Sequence, residues 1–203
     1  MIFIYSNLEN IKLYTLFIYI FGVEMENQII IIDNDYYLSS DPTIADIDNL
    51  VLYLNDEGIY NGTLRVPFPY TKTNAESYLK NFEDRRKEFG RSMNWQIRAK
   101  EGLLIGGISL KGQHGKDSHK DEIGYWIGKE YWNKGIMTKA IPAFAKFVAI
   151  HYGIIRIEAT IFDYNASSIR VVEKCGFIYE GTLKKAYFKD GKYIDGKLYA
   201  LVK

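Results

Sequence analysis

Apolar residues recur along this 203-residue chain with two periods, and the switches between them lay out its elements. Over residues 29–38 they crowd into a strand-like run, which Asp33, Asn34 and Asp35 divide into two short pieces through their turn propensity. Asp41-Pro42 then predicts a helix start, since aspartate accepts from free first-turn N–H groups and proline lacks the N–H that would be orphaned there. Ile44, Ile47, Leu50, Val51 and Leu54 follow at helical spacing, and Gly58 and Gly62 end the element. Pro67 and Pro69 hold an extended link. A second helix is predicted over 73–88, with Ala75, Tyr78, Leu79 and Phe82 on one face and a charge run over 83–88 on the other.

From there the pattern turns to alternation. Residues 95–98 and 103–110 read as a hairpin across Glu101-Gly102, and 111–120 as a polar loop whose His114 and His119 face solvent. A strand over 122–127 leads through a glycine-bearing loop into a helix over 136–151, with Ile136, Ala140, Ile141, Phe144, Phe147 and Val148 toward a core. Pro142 inside that helix removes one N–H, so a bend or a carbonyl satisfied by another donor is expected. A strand over 156–162 makes the unit a right-handed crossover between parallel strands. A helix over 165–175 closed by Gly176 follows, and strands over 177–188 and 193–202 end the chain, joined through Asp190-Gly191. The fold class is therefore α/β (α+β): one domain with a mixed, mostly antiparallel, twisted central sheet and about four flanking helices.

Composition narrows the partners. Twenty-six basic and twenty-five acidic residues leave a formal charge of +1, which argues for neither nucleic acid nor an anionic membrane as partner. The single cysteine, Cys175, excludes an internal disulfide, and three histidines offer no zinc-site spacing, so no metal is expected and a reducing, cytoplasmic setting is the default. Residues 1–24 stand apart. Their clean apolar run over 13–23 is too short to span a bilayer and has neither a basic start nor a small-residue cleavage site, so no stable membrane insertion is expected. Two readings fit it: an extension upstream of a domain over 25–203 that begins at Met25, which is preferred, or an interfacial anchor.

The stretch from Asp121 to Thr138 carries the first chemistry. A strand that breaks into a loop at a helix start presents unpartnered N–H groups and the positive dipole end to a pyrophosphate. Three blocks then make the signal specific: Ile-Gly-Tyr-Trp-Ile with Tyr-Trp-Asn-Lys-Gly-Ile-Met-Thr-Lys-Ala, Arg-Ile-Glu-Ala with Asn-Ala-Ser-Ser, and Val-Glu-Lys-Cys-Gly-Phe with Glu-Gly-Thr-Leu. In order and spacing over residues 122–203 they resemble the GNAT superfamily of acetyl-coenzyme A dependent N-acetyltransferases, in particular the branch of ribosomal-protein N-terminal acetyltransferases.

The resemblance implies a transferase that moves an acetyl group from acetyl-CoA to a primary amine, a protein N-terminus or a small molecule, by direct attack in a ternary complex; the alternative is a coenzyme A binding module with weak or no catalysis, serving a regulatory role. It implies a cradle with Trp132, Gly135 and Met137 at its fixed places, a small residue being usual where Met137 stands, and backbone amides of Lys134, Gly135, Ile136, Met137 and Thr138 on the diphosphate. It further implies a sheet splayed at the parallel pair, where the backbone of Trp126 and Ile127 meets pantetheine. Asn165 either caps its helix or bonds pantetheine amides, and Ser168 points toward the cofactor sulfur. Attack by an amine requires loss of a proton and delivery of one to the thiolate. Glu122 is the candidate base, with a solvent-facing strand position as the competing reading. The tyrosine that many relatives use as acid is replaced by Val172, which leaves Ser168 or a bound water. The acceptor would be bound by 58–72, 111–120 and the terminal hairpin, where Tyr187 and Asp195 are lesser candidates, by a monomer or homodimer.

Overall fold

Residues 28–203 are described by the computed structural model, so the expectations placed on 1–24 and on Met25 lie outside the described residues. Among the described residues eight strands form one sheet: β1 (Ile29–Ile31), β2 (Tyr36–Ser39), β3 (Asn94–Ala99), β4 (Leu104–Leu110), β5 (Lys120–Ile127), β6 (Arg156–Phe162), β7 (Ile178–Lys189) and β8 (Lys192–Val202). Their order is β1-β2-β3-β4-β5-β6-β8-β7, antiparallel everywhere except between β5 and β6. The meander and both hairpins follow from the alternating pattern. Asp190 and Gly191 join β7 to β8 with φ of 50° and 73°, the doubly left-handed turn whose twist matches paired strands.

Among the described residues five α-helices cover the sheet: α1 (Ile47–Leu54), α2 (Glu57–Gly62), α3 (Lys72–Phe89), α4 (Ile136–Tyr152) and α5 (Ala166–Lys174). The helix expected from Asp41-Pro42 starts later, through a 3-10 turn at Ile44–Asp46. The Asp46 carboxylate accepts the Thr43 N–H at 2.8 Å, whereas Asp41 gives its carbonyl to Arg98 Nη2 at 3.0 Å. Nor do Gly58 and Gly62 end that helix. Asp56 takes the N–H groups of Gly58 and Ile59 and so caps a further short helix, which raises the expected count of about four to five.

Each face of the sheet has its own layer. On one side Trp95, Ile97, Ile105, Ile123 and Ile157 pack with Phe144, Ala140 and Val148 of α4 and with Val172 of α5. Across the sheet, Leu50 and Leu54 of α1, Ala75 of α3 and Leu104 form a smaller cluster. Polar pairs cross that second face: Arg98 on β3 makes two parallel bonds of 2.8 and 2.7 Å to Asp46, both side chains almost wholly buried.

Pro142 leaves α4 continuous. A proline at this position cannot donate to the carbonyl four residues back, that of Thr138, and there the Cys175 thiol donates instead across 3.8 Å. Burial pushes the Cys175 thiol up to about 11, which keeps its proton in place. Among the described residues no helix is long and apolar enough to cross a membrane, and no group of three or more His, Cys, Asp or Glu could hold a metal ion.

Candidate functional site

The parallel pair is short. Lys120, Asp121 and Glu122 register with Arg156, Ile157 and Glu158, after which β5 stays with β4 through Ile127 and β6 stays with β8 through Phe162. The sheet therefore forks just beyond Glu122. In an antiparallel ladder alternate residues turn their backbone groups to the same neighbour. Gly128 N donates to Ile105 and Lys111 N to the carbonyl of Glu122, so Trp126 and Gly124 also serve β4, while Tyr125 and Ile127 face the fork. Of the two residues whose backbone was expected in the gap, Ile127 is turned toward it. Its carbonyl already accepts Trp132 Nε1 at 2.8 Å. Trp126 is turned to β4, a correction to the sequence reading, and contributes its indole to the cavity wall.

Glu122 is not solvent-facing. It is 6% exposed, and its Oε1 accepts from Lys111 Nζ at 2.7 Å and from the Thr160 N–H at 3.0 Å. The second bond spans the fork, because Thr160 lies on β6 past the last paired residue. With Oε1 engaged twice, Oε2 is the oxygen open to a water or an amine. Glu122 and Ser168 both line one cavity of about 620 Å³, together with Lys111, Tyr125, Thr160 and Tyr187. Burial and the nearby Glu122 charge push the Tyr187 phenol up to about 12; its hydroxyl donates to the Thr160 carbonyl at 3.2 Å. Asp195 lies elsewhere on the hairpin, bonded to Lys184 Nζ and the Lys185 N–H.

Ser168 sits in the first turn of α5, with its hydroxyl 2.6 Å from that of Tyr125 on β5. The phenol is also 3.2 Å from the Ser168 carbonyl, and burial raises its pKa. Val172, one turn on, is fully buried in the core. A phenol thus reaches this part of the fork from the strand, and sequence reasoning missed it: Tyr125 reads as one more alternating aromatic until β5 and α5 are set side by side. Lys111 and Thr160 carried no local signal either, since both act through strand register.

At the wide end of the fork, Asn133 and Gly135 have φ of 60° and 72° on either side of Lys134, an alternation that turns successive N–H groups to one side. Gly135 is the N-cap of α4 and no side chain caps the helix, so the first turn of Ile136, Met137 and Thr138 keeps its amides for a ligand. Met137 does not crowd this cradle; its side chain is buried in the core. Lys134 and Thr138 differ in use, the Lys134 ammonium lying 5.3 Å from the Tyr131 ring centroid and Thr138 Oγ1 donating to the Gly135 carbonyl. Trp132 lies over Gly58, where an added Cβ would come within 2.7 Å of the indole. Asn165 caps α5, its Oδ1 accepting from Ser168 N at 3.1 Å and Ser167 Oγ at 3.0 Å, which leaves its amide nitrogen, against Gly62, as the free donor.

The chain is similar to known proteins. The L-amino acid N-acetyltransferase AaaT of Escherichia coli (strain K12) is 27% identical over 146 residues, 71% of this chain and 85% of its own. The uncharacterized N-acetyltransferase YoaA of Bacillus subtilis (strain 168) is 32% identical over 114 residues, 56% of this chain, and the match spans 64% of its length, under two thirds. Among solved structures, RimL, the ribosomal L7/L12 alpha-N-protein acetyltransferase in complex with coenzyme A, shares the fold at a TM-score of 0.76 and 19% identity, over 86% of this chain and 98% of that one. Residues 40–178 match the acetyltransferase (GNAT) domain family, and by that match, with the forked sheet and the amide cradle at its mouth, the chain belongs to the GNAT acetyltransferases.

Proposed function

We propose that this chain transfers the acetyl group of acetyl-CoA to a primary amine held in the cavity on the Glu122 side of the fork. The observation that carries the reading is the convergence of Glu122, Ser168 and Tyr125 on one cavity at the point where β5 and β6 part. The cradle amides of residues 134–138 would bind the diphosphate, the fork edge at Tyr125 and Ile127 the pantetheine, and the Asn165 amide nitrogen a pantetheine carbonyl. Membership of the family and the coenzyme A carried by a solved relative support that assignment.

The chain's own residues then divide the proton work. The amine nitrogen attacks the thioester carbonyl carbon and the carbon–sulfur bond breaks. The amine proton passes to Glu122 Oε2, directly or through one water, and the thiolate takes the Ser168 hydroxyl proton. Tyr125, with its hydroxyl 2.6 Å from Ser168 Oγ, would then turn its proton to that oxygen, replace the one lost and be recharged from solvent. A base of this kind contributes about 10²–10⁴-fold to rate. The cytoplasm is the setting this reading carries.

Thiol release from acetyl-CoA across a panel of α-amines and N-terminal peptides tests it. Glu122→Gln should lower kcat by about 10²-fold or more. Ser168→Ala and Tyr125→Phe should lower kcat more than they change coenzyme A affinity. Tight cofactor binding with no acceptor raising thiol release would favour a binding module, and a wild-type rate in Ser168→Ala would remove that residue as the acid.

A further inference from the structure

Four charged side chains line the cavity, and their charges do not balance. Lys111 and Glu122 offset one another at 2.7 Å, which leaves Arg65 and Arg85. Arg65 lies on the exposed link between α2 and α3. Arg85 projects from α3, on the stripe where Ser77, Tyr78 and Asn81 also line the cavity. Among the described residues, no carboxylate comes within ion-pair distance of either guanidinium.

Arg85 is held in place by neutral acceptors: Nη1 donates to Asn94 Oδ1 at 2.9 Å and Nη2 to the Leu110 carbonyl at 2.7 Å. These bonds fix the plane of the guanidinium and leave its charge uncancelled. Arg85 is half-buried, which disfavours the charge, and Arg65 adds a like charge close enough to act on it. The Asp121 and Glu88 charges act in the other direction and outweigh Arg65, though neither pairs with the guanidinium. Asp121 is moreover committed elsewhere, its carboxylate accepting the N–H groups of Gly112 and Glu122. Two arginines from separate elements share one cavity with no carboxylate among the described residues paired to either, an arrangement suited to an anion. A guanidinium fork matches a carboxylate or a phosphate, and of the two the carboxylate is the anion that every free amino acid and every acidic peptide carries.

We propose that the acceptor is a primary amine that also carries a carboxylate, bound by Arg65 and Arg85 while its amine is presented to Glu122. The proposal rests on the acetyl-transfer reading and adds its substrate class. One chemistry has two sources here: the α-carboxylate of a free amino acid, or an acidic side chain near a peptide N-terminus.

Matched acceptors test it. A free amino acid is compared with its carboxamide, and an amidated peptide beginning Ser-Asp-Glu with one beginning Ser-Asn-Gln. In the pair that represents the true source, the carboxylate member should show a kcat/KM higher by about tenfold or more, a charged hydrogen bond's worth, carried by KM and narrowed by added salt. Arg65→Gln and Arg85→Gln should each bring that ratio down toward one, with coenzyme A affinity retained. Arg65 is exposed, so its variant carries the test even if Arg85→Gln fails to fold. Equal kcat/KM within both pairs overturns the proposal while leaving acetyl transfer intact, as does a preference that survives Arg65→Gln. Transfer to no member of either pair, with coenzyme A bound, overturns both readings together.

Discussion

Cys175 shows how one residue's role can hang on another far along the chain. Pro142 is legible as a missing N–H, but the donor that answers the vacated Thr138 carbonyl caps the end of another helix, 37 residues from Thr138, and no local pattern points to it. Tyr125 and Ser168 are the same case, each ordinary in sequence and meaningful only at 2.6 Å. The cysteine makes a test available. Its thiol is raised from 9.0 to about 11 by burial, so the folded state holds the proton more tightly than the unfolded one. The resulting stabilisation is fully present below pH 9 and is lost as pH rises from 9 through 11. Denaturant midpoints measured from pH 8 to 10.5 should therefore fall in the wild type, with a shallower fall in Cys175→Val. Iodoacetamide at pH 8 should modify the native thiol far more slowly than the unfolded one.

Elements were read well where one period dominated. The β1–β2 turn, the β3–β4 hairpin, α4 and the Asp-Gly turn before β8 all follow from alternation, helical spacing or left-handed turn residues. The reading failed around α1 and α2, where local rules competed. Glycine at 58 reads as a helix stop, yet Asp56 caps a helix that runs through it, and the missing side chain makes room for Trp132. Asp46, which no local pattern singles out, is half of a buried pair with Arg98, which ties the entrance of α1 to the end of β3. Removing one member of such a pair strands the other's charge, so Arg98→Ala should cost about 3–5 kcal/mol in urea unfolding. Lys184→Ala, which breaks the exposed pair with Asp195, should leave the midpoint near that of the wild type. Similar losses in the two variants would show that burial is not what gives the Arg98 pair its weight.

At the scale of the whole molecule, the layered fold was in the order of elements, whereas the fork came from family resemblance, because nothing in the alternation of β5 says where its second neighbour departs. The charge imbalance at Arg65 and Arg85 was likewise invisible, being a property of which side chains share a cavity. The fork makes a thermodynamic prediction. A cofactor that binds only the folded chain stabilises it by mass action, by about 2.7 kcal/mol at 100 times its Kd. Coenzyme A should raise the thermal midpoint with a logarithmic dependence on concentration, and an unmoved midpoint at saturating cofactor would count against binding in the fork.

Most sheets end at their rims, and the hazard of unpaired backbone is confined there. This one also has an edge in its interior, along β5 past Glu122, where pairing to β6 has ended and pairing to β4 continues. Such an edge selects its visitor by shape before chemistry: a thin, extended molecule with amide groups at peptide-like spacing can slide in where a bulky one cannot. Pantetheine has that form, and so does a short β-strand. The fork is in this sense a receptor for strands, and an extended peptide that mimics one is the design from which a competitive inhibitor of this chain would start.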